Sequence, residues 1–381
     1  MPLSDQETAT QPPLPTHLQL PTHPPLPTHL TQHPALPAPP LFPDGEDALE
    51  DLLATPSPGL IADLAGLEGD LVILGAGGKM GPSLARLARR ALDAADRRDL
   101  AVHAVSRWTD RAAADRLAAD GVTPVPFDLL DGDPAALPDA GNVVFMVGAK
   151  FGSAGSPAHA WAVNAALPDR VARRYRTARI SAFSTGNVYP LVPTASAGSA
   201  EGDPVGPVGE YAMSCLGRER VFGHHTAEHG LRLAVIRLNY AVDLRYGVLA
   251  DIATAVHAGE PVDLTTGHLN AVWQGYANEV ALRALRYASA PEPFTLNLTG
   301  PETASVRRLA AYFADEFGTT ARTAGVESGT ALLSDASLCH ALFGYPGLPL
   351  RTLVGWQAEW IRRGHPLSGK PTKFQVRDGR F

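Results

Sequence analysis

A tyrosine and a cysteine lie four residues apart in the segment GEYAMSCLGRER, at positions 211 and 215. In a helix such residues share one face, so Tyr211 and Cys215 are predicted to be neighbours. A tyrosine hydroxyl can move a proton, but its ordinary pKa of about 10 makes it a poor base near neutral pH. A nearby cation would lower that pKa, whereas a thiolate would raise it. The pair therefore indicates proton-transfer chemistry and leaves open what activates the tyrosine.

A glycine-rich turn earlier in the chain predicts a dinucleotide-binding site. The apolar run DLVILG leads into four glycines and then into a helical pattern, which is the order that such a site requires. Gly75 would allow the tight turn, Gly78 would let the backbone approach a pyrophosphate, and Gly81 would let the helix pack on the strand. The helix N-terminus would attract the pyrophosphate. The residues assigned to this turn are Gly75, Gly77, Gly78, Lys79, Met80 and Gly81.

The end of the second predicted strand bears on the choice between NAD and NADP. An acidic residue there would bind the adenosine ribose of NAD, whereas an arginine would accommodate the 2′-phosphate of NADP. The sequence has Ser106 and Arg107 at this place, and Lys79 adds a second cation. These residues favour NADP somewhat over NAD; the alternative is that both cations are ordinary solvated surface groups.

Strand-like and helix-like segments alternate from residue 70 onward, which predicts right-handed βαβ units and a parallel, doubly wound α/β sheet. We expect residues 44–240 to form a dinucleotide-binding domain that begins with a short helix. Residues 241–381 would form mainly a smaller substrate-binding cap, with one strand, about 294–299, returning to the sheet. The seven predicted strands are 70–75, 101–106, 122–128, 142–148, 179–185, 231–238 and 294–299.

The first 43 residues have a different composition, rich in proline, threonine and histidine with a recurring LPTH. Proline at this density disfavours helices and sheets, so this segment is predicted to be disordered. Across all 381 residues the net charge is −7 and there are two cysteines. We expect no nucleic-acid partner, no disulfide framework and no membrane span. The N-terminus has no secretory-signal pattern, and no metal-binding spacing appears, so we expect a cytoplasmic protein without a metal.

Several segments between residues 70 and about 345 share motifs with one enzyme family. The glycines fit GxxGxxG, FSTGNVYP (183–190) is similar to Ser-Ser-x-x-Val-Tyr-Gly, and YAMSCLGRE (211–219) is similar to Tyr-Gly-x-Ser-Lys-x-x-x-Glu. The chain thereby resembles the extended short-chain dehydrogenase/reductase family, also called the NAD-dependent epimerase/dehydratase family. The resemblance implies a Rossmann-type fold, a nicotinamide cofactor and a small-molecule substrate such as a sugar nucleotide. Family members are often dimers, so a homodimer is also expected.

The resemblance also implies roles for individual residues. Tyr211 matches the catalytic tyrosine, and Thr185, with Ser184 before it, matches the hydroxyl that binds the substrate oxygen. Asp128 and Leu129 match the contact with adenine. Other residues take their expected place from the same motifs: Gly148 and Ala149 beside the nicotinamide ribose, and Asn187, Tyr189 and Asn239 near the substrate. Tyr189 could equally pack in the core.

Cys215 stands where the family has a lysine that lowers the pKa of the tyrosine and holds the nicotinamide ribose. Three interpretations follow. Lys150, directly after the fourth strand, could supply the missing cation; Tyr211 could act only as a hydrogen-bond donor; or the protein could bind the cofactor without catalysis, as a sensor or regulator. Cys215 could also be a reactive thiol, although a cysteine on a helix more often only packs.

Overall fold

Seven parallel strands form the central sheet of the computed structural model, which describes residues 40–150 and 152–380. The strands are β1 Leu71–Leu74, β2 Val102–Ser106, β3 Thr123–Pro126, β4 Asn142–Phe145, β5 Arg179–Thr185, β6 Arg232–Leu238 and β7 Phe294–Leu298. The order across the sheet is β7-β6-β5-β4-β1-β2-β3. Every predicted strand is present, with its bounds shortened by at most three residues.

The sheet is buried on both faces because helices cover both. All four residues of β1 and of β4 are buried, as expected for strands that read as continuous apolar runs. The helices are α1 Glu46–Leu53, α2 Pro58–Ala65, α3 Gly81–Ala94, α4 Arg111–Ala119, α5 Pro157–Trp161, α6 Leu167–Arg174, α7 Gly209–His229, α8 Val248–His257, α9 Gln274–Arg283, α10 Val306–Phe317, α11 Ser337–Phe343 and α12 Leu350–Arg362.

The start of the described chain differs from the prediction. One short helix is expected before the first strand, but there are two, and the segment PSPG (56–59) lies between them and begins α2. Ser57 caps α2, since its hydroxyl oxygen accepts a hydrogen bond from Leu60 N at 3.1 Å, and Pro58 occupies the first helical position. Most of the segment predicted to be disordered, residues 1–39, lies outside the described residues.

Beyond β6 the chain forms helices and two-residue strand pairs. Helices α8, α10 and α12 pack against one another, and β7 pairs with β6 at the edge of the sheet. The short pairs are Val192–Pro193 with Thr330–Ala331, Ala241–Val242 with Val272–Trp273, Val262–Asp263 with Thr323–Ala324, and His268–Leu269 with Ala304–Ser305. In the described ranges, no helix is both long and apolar enough to cross a membrane.

Helix α7 carries Tyr211 and packs on β5, the strand that ends at Thr185. Between α5 and α6 a π-helical turn, Ala162–Ala166, packs on α7 from the other side. Such turns widen a helix locally and are frequent at functional sites. Here the turn places Asn164, which is fully buried, against α7.

Candidate active site

The glycine-rich turn joins β1 to the N-terminus of α3. Gly75 has φ +90°, a conformation that favours glycine, and it packs against Val147 N after β4. A Cβ on Gly81 would overlap the carbonyl group of Ala76, lying 2.6 Å from its carbon. Gly77 and Gly78 are exposed and line a cleft of about 870 Å³ together with Lys79 and Ser106. The turn therefore brings bare backbone to a cleft at the start of a helix, which is what a bound pyrophosphate needs.

The end of β2 only partly matches the expectation for NADP. Ser106 lines the cleft and packs against Gly77, whose Cβ would lie 3.1 Å from Ser106 Cβ. Arg107 is exposed and is not among the residues that line the cleft, whereas Lys79 and Arg116 are. Lys79 lies with its ammonium group over the ring of Tyr246.

The loop after β3 holds Asp128 in place by a short-range hydrogen bond. Its Oδ1 accepts from Leu130 N at 2.9 Å, and Arg170 on α6 donates to the carbonyls of Leu130 and Gly132. Asp128 and Leu129 are both partly buried. The loop is thus fixed beside the sheet, and a contact between Asp128 and adenine stays a prediction from the motif.

Tyr211 hydrogen-bonds through its hydroxyl to Thr185 and to Cys215. Thr185 is buried at the end of β5, and its Oγ1 also accepts from Asn187 N at 3.2 Å and from Asn187 Nδ2 at 3.0 Å. The predicted pair of Thr185 and Tyr211 is therefore in direct contact. Asn187 lies in the same cluster, at the mouth of the predicted substrate site.

The pKa of Tyr211 is raised well above its ordinary value, chiefly by burial and further by Cys215. The Arg218 guanidinium and the hydrogen bond with Thr185 act in the opposite direction. Burial also raises the pKa of the Cys215 thiol, so the thiol is neutral near pH 7. Cys215 therefore contributes no charge to Tyr211 at that pH.

Lys150 lies over the ring of Tyr211, with its Nζ 5.8 Å from the ring centroid. Burial of its ammonium group lowers the pKa of Lys150 to about 8, although Cys215 and Asp251 partly oppose this. Gly148 and Ala149, just before it, follow β4, the strand between β1 and β5. The cation predicted from the sequence is thus next to the tyrosine.

Two polar residues that the sequence analysis did not select connect α7 to the end of β4. The side-chain oxygen Oδ1 of Asn164 accepts hydrogen bonds from Ala149 N at 2.9 Å and from Arg218 Nη2 at 2.9 Å. Its Nδ2 donates to Ala149 O at 3.0 Å and to Ser214 Oγ at 2.9 Å. Arg218 follows Tyr211 by seven residues, a spacing that keeps both on one helix face. That spacing was the sequence signal available for Arg218, and the single amide in WAVNAALP was the signal available for Asn164.

Ser184 and Tyr189 take part in a buried hydrogen-bond network, although Tyr189 also lines a small cavity with Asn187. Ser184 Oγ donates to Glu219 Oε1 at 2.5 Å, and Arg237 Nη2 pairs with Glu219 Oε2 at 2.8 Å. Tyr189 donates to Asn297 Oδ1 at 2.9 Å and accepts from Arg237 Nη1 at 2.6 Å. Of the two interpretations for Tyr189, this arrangement favours packing.

Asn239 is also buried. Its Nδ2 donates to Leu332 O at 3.2 Å, and its carbonyl accepts from Thr299 Oγ1 at 3.1 Å. The side chain therefore ties the end of β6 to Leu332, directly after the short strand Thr330–Ala331, while the Thr299 bond is to the backbone carbonyl of Asn239. A contact between Asn239 and substrate stays a prediction from the motif.

Residues 364–380, here called the C-terminal strap, cross the mouth of the site. Thr372 donates to Asp251 Oδ2 on α8 from its N, at 2.8 Å, and from its Oγ1, at 2.5 Å. Arg377 Nη1 donates to Thr330 O at 2.7 Å. The strap then reaches the first residue of α7, where a Cβ on Gly379 would lie 2.7 Å from Gly209 Cα.

The strap brings further positive charge to the cleft. Lys370 acts electrostatically on Lys79, and Lys373 acts on Lys150. Partial burial of the ammonium group of Lys79, although the residue as a whole is exposed, and the repulsion from Lys370 lower its pKa to about 8. The four lysines of the chain thus lie near enough to interact electrostatically: Lys370 and Lys150 act on Lys79, and Lys373 acts on Lys150.

Parallel strands, a glycine-rich turn at the start of α3 and a tyrosine–threonine pair at the end of β5 define a dinucleotide-binding protein of the Rossmann type. The family model of the NAD dependent epimerase/dehydratase family matches residues 71–290. The chain belongs to this family.

Solved structures with the same fold share little sequence with the chain. UDP-glucuronic acid 4-epimerase from Bacillus cereus, in complex with UDP-glucuronic acid and NAD, has a TM-score of 0.64 at 15% identity and covers 78% of this chain and 100% of its own. The dTDP-glucose 4,6-dehydratase DesIV from Streptomyces venezuelae has a TM-score of 0.65 at 19% identity, over 77% and 97%. MoeE5, in complex with UDP-glucose and NAD, has a TM-score of 0.61 at 20% identity, over 78% and 99%. No curated protein sequence matches the chain.

Proposed function

We propose that the protein binds NAD or NADP and catalyses hydride transfer on a sugar nucleotide or a similar carbonyl or hydroxyl substrate, as an oxidoreductase, epimerase or dehydratase. The observation that carries the proposal is the contact between Tyr211 and Thr185. It lies at the end of β5, two strands from the glycine-rich turn after β1, with Gly148 at the end of β4 between them. The carboxyl ends of adjacent parallel strands form one edge of the sheet, so all three features lie along the edge where ligands bind in open α/β sheets.

The chain fits the cofactor at the glycine-rich turn. Exposed Gly77 and Gly78 present backbone to the cleft, and α3 begins there at Gly81. A nicotinamide dinucleotide, when bound, supplies the donor or acceptor of the hydride. In the proposed mechanism, Thr185 Oγ1 orients the substrate oxygen and the Tyr211 hydroxyl gives or takes the proton of that oxygen.

Lys150 is proposed to supply part of the charge that Cys215 lacks. Its ammonium group over the Tyr211 ring would stabilise the phenolate below about pH 8, where Lys150 is protonated. Its place directly after Ala149 would also let it bind the nicotinamide ribose.

NADP is proposed to bind somewhat more tightly than NAD. No carboxylate stands at the end of β2, where Ser106 lines the cleft, and Lys79 and Arg116 line it too. These two cations, rather than the exposed Arg107, would meet a 2′-phosphate. Dissociation constants for the two cofactors, measured on Lys79→Gln and Arg107→Gln, test this: we expect only the first variant to lose the preference.

The proposed substrate site lies between the sheet and the helices after β6, under the C-terminal strap. The cavity between the strap and Asn187 is only about 30 Å³, room for roughly one water molecule. A sugar nucleotide is far larger, so the strap must open to admit it. The enzymes of this fold described above were solved with UDP-glucuronic acid and UDP-glucose, which makes these compounds the first probes.

The test is turnover by the purified protein with NAD or NADP and UDP-glucose, UDP-glucuronic acid or dTDP-glucose. We expect cofactor absorbance changes or epimer formation, and a loss of about 100-fold or more in Tyr211→Phe with cofactor binding retained. Tyr345→Phe, at an exposed tyrosine remote from the cleft, is the matched control. Tight cofactor binding without turnover on any probe would replace the proposal by a cofactor-sensing role.

Homodimerisation is proposed through α5 and α7. Trp161, Val208 and Met213 are exposed apolar residues on these helices or directly before α7, and such groups favour an interface. Light scattering of Met213→Glu tests this, and a wild-type monomer would refute it. Both cysteines are free and buried, which supports the reducing cytoplasm as the proposed compartment.

A further inference from the structure

Arg218 is a buried cation without an anionic partner among the described residues. It is 5% exposed, and its three hydrogen bonds end on neutral carbonyl oxygens. Nη1 donates to Phe183 O at 2.6 Å, Nη2 to Asn164 Oδ1 at 2.9 Å, and Nε to Asn164 O at 3.4 Å. The adjacent carboxylate, Glu219, is committed to Arg237. Buried charges are usually paired, because an unpaired one costs stability.

The position of Arg218 relates this charge to the active site. A Cβ on Gly148 would lie 3.5 Å from Arg218 Nη2 and 3.7 Å from Asn164 Oδ1, so the guanidinium reaches the backbone at the end of β4. Cys215 lies one helical turn before Arg218 and Tyr211 lies two turns before it, on the same face of α7.

We propose that Arg218, held by Asn164, supplies the fixed positive charge that the family's lysine would have supplied at position 215. Arg218 is a positioning residue, since it acts through Tyr211. The inference rests on the proposed function, because the charge matters for catalysis only if Tyr211 moves a proton. Electrostatic attraction from Arg218 favours the phenolate form of Tyr211, in the direction that catalysis requires.

Arg218 and Lys150 differ in how they respond to pH. Lys150 faces Tyr211 from the loop after β4 and loses its proton near pH 8. An arginine stays charged throughout the range of an enzyme assay. Among the residues that the structure describes, the other titratable group that acts on Tyr211 is Cys215, on its own helix. The contribution of Arg218 should therefore persist above pH 8, where that of Lys150 is lost.

The test compares Arg218→Gln with Arg218→Lys, which keeps the charge. Arg89→Gln is the matched control, since Arg89 is equally buried and binds the backbone carbonyls of Leu100 and Arg97 far from α7. The first readout needs no substrate: the rate at which N-acetylimidazole acylates Tyr211, followed by peptide mass spectrometry between pH 6 and 10. The phenolate is the reactive form, so the rate falls tenfold for each unit by which the pKa rises. Exposed Tyr345 serves as the internal reference.

We expect Arg218→Gln to slow acylation of Tyr211 about tenfold or more at every pH, and Arg218→Lys to restore it to within about threefold. The second readout is turnover on the three sugar nucleotides, where Arg218→Gln should lower kcat and leave KM nearly unchanged. If acylation responds as expected but the wild type turns nothing over, the proposed function fails and the electrostatic inference stands.

An acylation rate for Tyr211 that is unchanged in folded Arg218→Gln would overturn the inference. The inference would also be overturned if Lys150→Met slowed acylation about tenfold or more both at pH 7 and at pH 9.5, where Lys150 has lost its charge. If Arg218→Gln does not fold, Asn164→Asp answers the question, because it keeps the shape of the side chain and places an anion 2.9 Å from Arg218 Nη2. It should slow acylation as strongly, and an unchanged rate would equally refute the proposal.

Discussion

Replacing Lys150 by methionine should make Tyr211 a weaker acid below pH 8 and leave it unchanged above. The separation between Lys150 Nζ and the ring centroid of Tyr211 is 5.8 Å. At about that distance two unit charges interact by roughly 0.7 kcal/mol in water and roughly 3 kcal/mol at the effective dielectric constant of a protein site. One pKa unit corresponds to about 1.4 kcal/mol, so Lys150→Met should raise the pKa of Tyr211 by about 0.5 to 2 units.

The pH dependence follows from the lowered pKa of Lys150, about 8. Below that pH the ammonium group is charged and stabilises the phenolate; as pH rises through 8 the charge is lost, and wild type and variant should converge. Acylation of Tyr211, or kcat/KM once a substrate is known, should fall about 3- to 100-fold at pH 7 and not at pH 9.5. Asp251 and Lys373 also face Lys150, so Lys373→Met should move the convergence to higher pH.

Lys150→Arg is the matched control, because an arginine keeps its charge at alkaline pH. This variant should equal the wild type at pH 7 and exceed it at pH 9.5. If Lys150→Met has the same pH profile as the wild type, then the cation over the ring does not act on the hydroxyl. The charge would then have to come from Arg218 alone.

Three further changes test the framework around the site. Gly81→Val should abolish cofactor binding and lower the melting temperature, because its Cβ would overlap the Ala76 carbonyl; Gly66→Ala, where a Cβ meets nothing within 4 Å, is the control. Glu219→Gln should cost about 3–5 kcal/mol in chemical denaturation by leaving buried Arg237 unpaired, whereas Glu316→Gln at a surface pair should cost less than about 1 kcal/mol. Asp251→Asn should loosen the strap and speed trypsin cleavage after Lys373 several-fold; an unchanged cleavage rate would show that this contact does not hold the strap.

The sheet was predictable from the sequence because its strands are short apolar runs between turn residues. Buried parallel strands need apolar side chains on both faces, so β1 and β4 are visible as LVIL and NVVF without further information. The start of α2 was missed because a Ser-Pro pair can either follow the end of one helix or cap the start of the next. Only the hydrogen bond from Leu60 N to the hydroxyl of Ser57 shows that the pair caps α2.

The candidate site was only partly predictable, because sequence motifs mark positions and not side-chain partners. Thr185 and Tyr211 match family positions, and the fold brings them together. Ser184 also matches a family position, yet its hydroxyl donates a hydrogen bond to Glu219. Arg218 matches no family position. Its importance depends on the π-helical turn that presents Asn164 to it, and a local widening of a helix leaves no clear sequence pattern.

The cysteine at position 215 is compatible with catalysis only if its surroundings compensate for the missing charge. A neutral, buried thiol gives Tyr211 no electrostatic help, and burial alone raises the pKa of the tyrosine. Two cations nevertheless reach the tyrosine from two directions, Lys150 over its ring and Arg218 along its own helix. An unpaired buried guanidinium is costly to keep in a fold that has lost its use for it. The buried Arg218, which has no anionic partner among the described residues, therefore argues for an active enzyme over a cofactor sensor.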